Sequence, residues 1–374
     1  MVSVLLGCSG GDETSNGNGG SNAQAGSNTG GAGATASAGS AAGGAANGGS
    51  TGNAAGQSAT GGATTTSACG PGLPLFPAGS PFNTRIDSAP LDTESDAIIT
   101  YLASNHTADA RFQVDFSLTI LSGDAQTPRL SFTPTEDHYL PDCDLAALPV
   151  PVDGMLEGED GYACTSDGDC HLIVVESDEC KLYEMWRANI VGDEFAGGCL
   201  AIWDLSQVYP AEGRGEYCTS ADAAGFPIAP LTFSADEIAA GTIEHAIRFI
   251  LPNDLIRSDV YVHPGTHSTS ATSGPADAPP YAVRMRLKAD ADLSGLTAGA
   301  QVVARALQQY GMLLADGGNV TFTAASDRTA EHTWDEVGFG PHDLKSLSWR
   351  DFEVVELGER FEWSSGDCQR EPIE

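Results

Sequence analysis

Apolar positions in residues 296–314 recur at the three-and-four spacing of a helix. Val302, Val303, Ala306, Leu307, Tyr310, Leu313 and Leu314 form one stripe, behind a Thr297 cap and ahead of a Gly317-Gly318 stop. A shorter helical pattern covers residues 93–105, where Ile98, Ile99, Tyr101 and Leu102 fall on neighbouring faces after Asp92 or Thr93 as the cap. The remaining ordered stretches are short, rich in β-branched and aromatic residues, and bounded by Gly, Pro, Asn or Asp. That pattern predicts strands over 112–121, 129–132, 171–176, 181–191, 200–205, 242–251, 260–263, 281–289, 319–324 and 352–356. So many strands against so few helices predict a mostly β domain, a β-sandwich or jelly-roll-like arrangement with one or two packed helices.

The pattern vanishes over residues 9–67, which are almost entirely Gly, Ala, Ser, Asn and Thr and cannot bury enough apolar surface to offset their ordering entropy. This segment reads as a disordered tether, dividing the 374-residue chain into 1–8, 9–67 and a domain over 68–374. The run Val4-Leu5-Leu6-Gly7-Cys8 resembles the end of a bacterial lipoprotein signal peptide, with Cys8 the acylated residue. The expectation is a secreted protein held at the outer membrane or cell surface through its lipid anchor only. Nine cysteines agree with export: setting Cys8 aside leaves an even number, enough for four disulfides. Cys69 and Cys368 bracket the domain and suggest an end-to-end staple, with Cys143, Cys164, Cys170, Cys180, Cys199 and Cys218 clustered between them. No pair has the Cys-x-x-Cys spacing of zinc or thioredoxin-like sites.

The formal charge of −34, from 51 acidic against 17 basic residues, makes nucleic acid and anionic membrane surfaces poor partners. Outside the tether there is no glycine-rich phosphate loop and no Gly-x-Ser-x-Gly elbow, so neither nucleotide binding nor an α/β-hydrolase serine is expected. The acidic stretch 153–179, with Cys164 and Cys170, reads as a disulfide-pinned loop insertion around one short strand. It lacks the full spacing of an EF-hand loop, which leaves Ca2+ there as an alternative to no metal or cofactor at all.

Strand alternation picks out the candidate chemistry. Glu184, beside Tyr183, Met185 and Trp186, and Asp204, after Ile202 and Trp203, are acids among large apolar residues, an environment that raises a carboxyl pKa. Two such carboxyls on neighbouring strands, with Trp186 and Trp203 to stack on sugar rings, would suit glycoside hydrolysis. Within 242–249, a period of two puts Ile243, His245, Ile247 and Phe249 on one face and Arg248 on the other. Within 281–288 it puts Tyr281, Val283, Met285 and Leu287 inward and Arg284, Arg286 and Lys288 outward. If those strands are neighbours, Arg248, Arg284, Arg286 and Lys288 form a cationic stripe able to hold a carboxylate; otherwise they pair with nearby acids. His263 and His267 flank a Pro-Gly turn that spoils helical metal spacing but suits a ligand-contacting loop.

The segments Thr219-Ser-Ala-Asp222-Ala-Ala-Gly225, His245-Ala-Ile-Arg248-Phe249, Arg284-Met-Arg286-Leu-Lys288 and Gly311-Met-Leu-Leu-Ala-Asp316 resemble those of a family of exported, largely uncharacterised bacterial and fungal β-rich proteins. The resemblance spans residues 171–355 and implies a shared topology without a mechanism. Position by position it points to Glu184, Asp204, Asp222, His245, Arg248, His267, Arg286, Lys288 and Asp316. The family's Asn-Gly after the aspartate is replaced here by Gly317-Gly318. The resulting expectation is a cell-surface enzyme acting on polysaccharide, a glycoside hydrolase with Glu184, Asp204 and His245 in catalysis. Trp186, Trp203, Asp222, Arg248, His267, Arg284, Arg286 and Asp316 would contact substrate. The alternatives are a lyase on uronate polymers, using the cationic stripe, and a non-catalytic glycan- or surface-binding lipoprotein.

Overall fold

The helix expected over 296–314 ends early, and its end organises the larger of two main sheets. Thr297 caps it through its side chain, which accepts from the Ala300 N–H, and the helix runs Ala298–Gln309. Gly311 then adopts φ +73°, and a Cβ there would lie 2.4 Å from the Met285 carbonyl oxygen, so the chain turns at the one residue type that fits. Leu313 and Leu314 consequently sit in a strand, Met312–Gly317, not in the helix. A computed structural model describes residues 75–108, 111–166 and 168–373 of the chain. The expectations for Cys8, the tether 9–67 and Cys69 lie outside the described residues.

The larger sheet has six strands in the order Val114–Leu118, Phe322–Ala325, Ile247–Leu251, Met312–Gly317, Arg284–Leu287, Phe352–Val354. It is mixed: the first two strands pair parallel, as do Ile247–Leu251 and Met312–Gly317. One face packs on helices through an aromatic layer of Phe112, Phe249, Phe322, Trp349 and Phe352. The smaller sheet orders Cys199–Asp204, Lys181–Trp186, Leu172–Glu176, Ile120–Gly123. The chain passes from one sheet to the other at buried Thr119, between adjacent strands of different sheets. The mostly β expectation thus describes the domain, with few helices against many strands.

Several boundaries differ from the sequence expectation for local reasons. The strand expected over 181–191 breaks at Arg187, whose φ of +54° takes it out of the strand. The strand expected over 242–251 begins only at Ile247, because residues before it follow the left-handed Gly241 cap of the helix Ala235–Ala240 and run as a loop. The helix expected over 93–105 is present as Ser95–Asn105.

Among the described residues, disulfides join Cys143 to Cys199, Cys164 to Cys170 and Cys218 to Cys368. Cys180 is disulfide-bonded as well. The Cys69–Cys368 staple is therefore corrected: Cys368 comes back to Cys218, their Cα atoms 4.5 Å apart. Such bridges are the mark of an oxidising or extracellular compartment. Among the described residues no helix is long and apolar enough to cross a membrane.

Candidate functional site

The register of the small sheet separates the two acids expected to work as a pair. Ala201 faces Glu184 and Asp204 faces Lys181 across the antiparallel pairing. Since side chains alternate, Asp204 lies on the side of Lys181 and Tyr183, and Glu184 on the opposite side with Leu182 and Trp186. Asp204 closes a turn at the strand end, accepting from the Ser206 N–H at 2.9 Å and the Gln207 side-chain amide at 2.6 Å. The Glu184–Asp204 dyad is corrected on this geometry. Trp186 and Trp203 are 3% and 1% exposed, too deeply buried to stack on a sugar.

Glu184 instead points toward a polar chamber on one face of the large sheet. Asp115 is paired in register with Thr323, and Asp316 with Ile250 beside Arg248, so Asp115, Thr323, Arg248 and Asp316 share that face. Against it come Asp222 from the Thr219–Gly225 loop, and Glu157, Asp169 and His171 from the acidic stretch 153–179. The buried Arg248 guanidinium donates to both Asp222 oxygens, at 2.8 and 3.3 Å, and to Thr323 Oγ1 at 2.6 Å. This bidentate pairing satisfies two charges that would be very costly alone.

His171 donates from Nδ1 to Glu157 at 2.6 Å and from Nε2 to the Ala221 carbonyl at 3.1 Å. With an acceptor on each nitrogen the ring is held as a cation: burial alone would lower its pKa, but the Glu157 charge and hydrogen bond lift it to about 9. Ser117 Oγ sits 2.7 Å from Asp115 and 3.0 Å from Glu157, so one hydroxyl proton is offered to two carboxylates. Asp316 is partly exposed, its carboxylate accepting from the Gly317 N–H at 2.6 Å. Burial and then the Asp222 charge push its pKa well up, with Asp169 adding to the push and Arg248 opposing it. Asp169 is exposed and accepts from the Trp186 indole N–H. Asp222 and Arg248 thus form a sealed floor, while Asp169 is exposed, the Glu157 and His171 side chains are partly exposed, and Asp316 stands at a partly exposed position.

Glu184 lies beneath this floor, fully buried. Its Oε1 accepts from the Ile228 and Ala229 N–H groups, both at 2.8 Å. Burial, helped by the Asp222 charge, raises its pKa to about 7. A folded-state pKa above the unfolded value of 4.5 means the folded chain holds the proton more tightly. Its contribution to stability is therefore fully present below pH 4.5 and lost as pH rises through 7, a change on the order of 3 kcal/mol. Glu184→Gln keeps the acceptor oxygen and removes the titration. Denaturant unfolding of the variant should lose less stability than the parent between pH 5 and pH 8, and equal slopes would refute the assignment.

The other expected site residues lie elsewhere or are already engaged. His245 is fully buried, bonded to the Ala246 carbonyl at 2.8 Å and to Glu237 at 3.1 Å, in the loop before the strand. The cationic stripe is corrected too, because Met312–Gly317 lies between the Arg248 strand and the Arg284–Arg286 strand. Arg284 donates to the carbonyls of Pro81, Thr84 and Tyr310, and Arg286 to Glu353 and the carbonyls of Ile86 and Ala89. Lys288 donates to the Arg350 carbonyl. His267 is buried and donates from Nδ1 to the Ala223 carbonyl at 2.8 Å, next to Asp222; burial lowers its pKa to about 4. In the acidic loop, Glu159 lies near Cys164 and Cys170, but those sulfurs are bonded to each other, and Glu159 accepts from Thr165 and Ser166. A cleft of about 570 Å³ opens elsewhere, lined by Ile120, Glu237, Glu244 and Glu331 among others, and contains neither Arg248 nor Asp316.

Three of the four motif segments therefore meet in one chamber, through Asp222, Arg248 and Asp316. Glu157, Asp169, His171, Asp115, Ser117 and Thr323 were missed by sequence reasoning. Only the acid-rich character of 153–179 hinted at the first three, as a loop around a short strand with Ca2+ as an alternative and not as part of this chamber. The chain matches no protein-family model, no curated protein and no solved structure.

Proposed function

We propose that this chain is an exported, lipid-anchored enzyme that hydrolyses glycosidic bonds, with Asp316 as proton donor and Asp169 as its carboxylate partner. The observation that carries the reading is Asp316: a carboxyl at a partly exposed position whose pKa is raised by burial and by the Asp222 charge, with Asp169 close enough to add to the effect. Glycoside hydrolysis uses two carboxyls driven apart in acidity, one kept protonated to release the leaving oxygen and one ionised to act as base or nucleophile. Asp222 cannot take the second role while it is sealed against Arg248, whereas Asp169 is exposed and oriented by the Trp186 indole. The disulfides favour export, and the apolar run ending in Cys8 with its following tether favours a lipid anchor.

A lyase acting on uronates would need a cation free to neutralise the substrate carboxylate. Arg248, Arg284 and Arg286 are each engaged within the fold, which weakens that reading. The test is to incubate the purified chain with neutral and uronate polysaccharides, reading new reducing ends and the absorbance of unsaturated uronates. New reducing ends from a neutral polysaccharide are expected. Unsaturated products would favour the lyase, and binding without either product would favour a non-catalytic glycan-binding protein.

A further inference from the structure

The short strand pair Val260–Val262 and Arg360–Glu362 carries a row of aromatic rings that the chamber does not use. Buried Tyr261 stacks on Phe361 with centroids 5.3 Å apart, His263 lies 4.4 Å from the same ring, and Tyr217 meets Tyr261 edge-on at 6.0 Å. Trp363 continues the row and meets His267 edge-on at 4.8 Å. Tyr217, Phe361 and Trp363 are only partly buried, each packed on the core along one side. Glu216 holds the polar edge, accepting from the Tyr261 hydroxyl and from His263 Nε2 at 3.0 Å. Tyr217 keeps a left-handed backbone, φ +62°, which is costly for a bulky side chain and persists only where surrounding structure enforces it. The Cys218–Cys368 bridge joins the residue after Tyr217 to the segment after Trp363.

We propose that Tyr217, Phe361 and Trp363 form a stacking subsite for a neutral glycan chain, beside the chamber of Asp222, Arg248 and Asp316. The inference rests on the glycoside-hydrolase reading and names its substrate class. A sugar ring presents apolar C–H faces and a rim of hydroxyls, which the partly exposed aromatic rings and the Glu216–His263 edge complement. Neutrality follows from the charges around the row. Asp259 and Glu359 are exposed beside it, while Arg360 is held by Asp92 at 2.7 Å and Arg214 and Arg370 are held by Asp144. A uronate or sulfated chain would meet like charge there. The row connects to the chamber through His267, which touches Trp363 on one side and the carbonyl of Ala223, adjacent to Asp222, on the other.

The test uses the full chain carrying Asp316→Asn, so that bound oligosaccharide is not consumed. Cello-, xylo-, manno- and malto-hexaose are compared with oligogalacturonate by calorimetry and tryptophan fluorescence. At least one neutral hexaose should bind and oligogalacturonate should not. Adding Trp363→Ala should weaken binding about tenfold, with Trp363→Phe recovering most of it. Unchanged affinity in the Trp363→Ala chain, or preference for oligogalacturonate, overturns the subsite. So does a dimer that Trp363→Ala dissolves in the absence of any glycan binding. Binding lost with Trp363 while the parent chain cleaves nothing would keep the subsite and remove the catalytic reading. Cleavage that depends on Asp316 but keeps its KM in Trp363→Ala would do the reverse.

Discussion

Asp316→Asn should lower turnover of a neutral glycan by roughly 10²–10⁴-fold while leaving the fold and glycan binding intact. The amide retains the oxygen that accepts from the Gly317 N–H, so the local turn is preserved, but it has no carboxyl proton to give to a leaving oxygen. The sign of the pH effect follows from the raised pKa. Burial and the Asp222 charge keep the proton on Asp316 into the range where an ordinary aspartate has lost it. Activity of the parent chain should therefore fall on the alkaline side as that proton leaves, and the small activity left in the variant should lack this limb. A variant that keeps more than a tenth of parental turnover on an identified substrate would remove Asp316 from the role of proton donor.

Replacing Cys218 and Cys368 by serine should cost about 5 kcal/mol of stability, the largest effect expected of any single bridge described. The bridge closes a loop of 150 residues, and the chain entropy removed from the unfolded state grows with the logarithm of loop length. The Cys164–Cys170 bridge closes only 6 residues, and the same relation gives about 2 kcal/mol. Denaturant unfolding of the two serine pairs should preserve that order. The 218–368 pair should also lose glycan binding beyond its loss of stability, because the bridge holds Tyr217 and Trp363 together. Equal losses from the two bridges would show that strain or residual structure outweighs loop entropy in this domain.

Much of the fold was legible because it depends on local pattern. The Thr297 cap and the apolar stripe through Leu307 fix a helix whatever surrounds it, and the strands 172–176, 181–186 and 199–204 carry enough β-branched and aromatic residues to be read directly. The boundary at Gly311 was not legible. Apolar residues at 312–315 fit a helix stripe and a strand buried on both faces equally well, and only the approach of the Met285 carbonyl decides between them.

The site divides the same way. Alternation and apolar neighbours singled out Arg248 and Glu184, whereas Asp222 and Asp316 stood out only as members of resembling motif segments. Pairing and face did not follow. Glu184 and Asp204 occupy adjacent strands, but a register with Ala201 opposite Glu184 sends them to opposite sides, and a shift of one residue would have joined them. Glu157 read as a member of an acidic loop, and His171 as the first residue of the short strand within it. They reach the chamber only because Ile120–Gly123 pairs parallel with Leu172–Glu176 and draws the loop over the sheet. By itself the sequence determined which residues are costly to bury and which segments are helical or extended, both short-range properties. Tertiary structure alone decided which buried charges share a dielectric and a proton, because that depends on strand register, on parallel pairing and on bridges that close long loops.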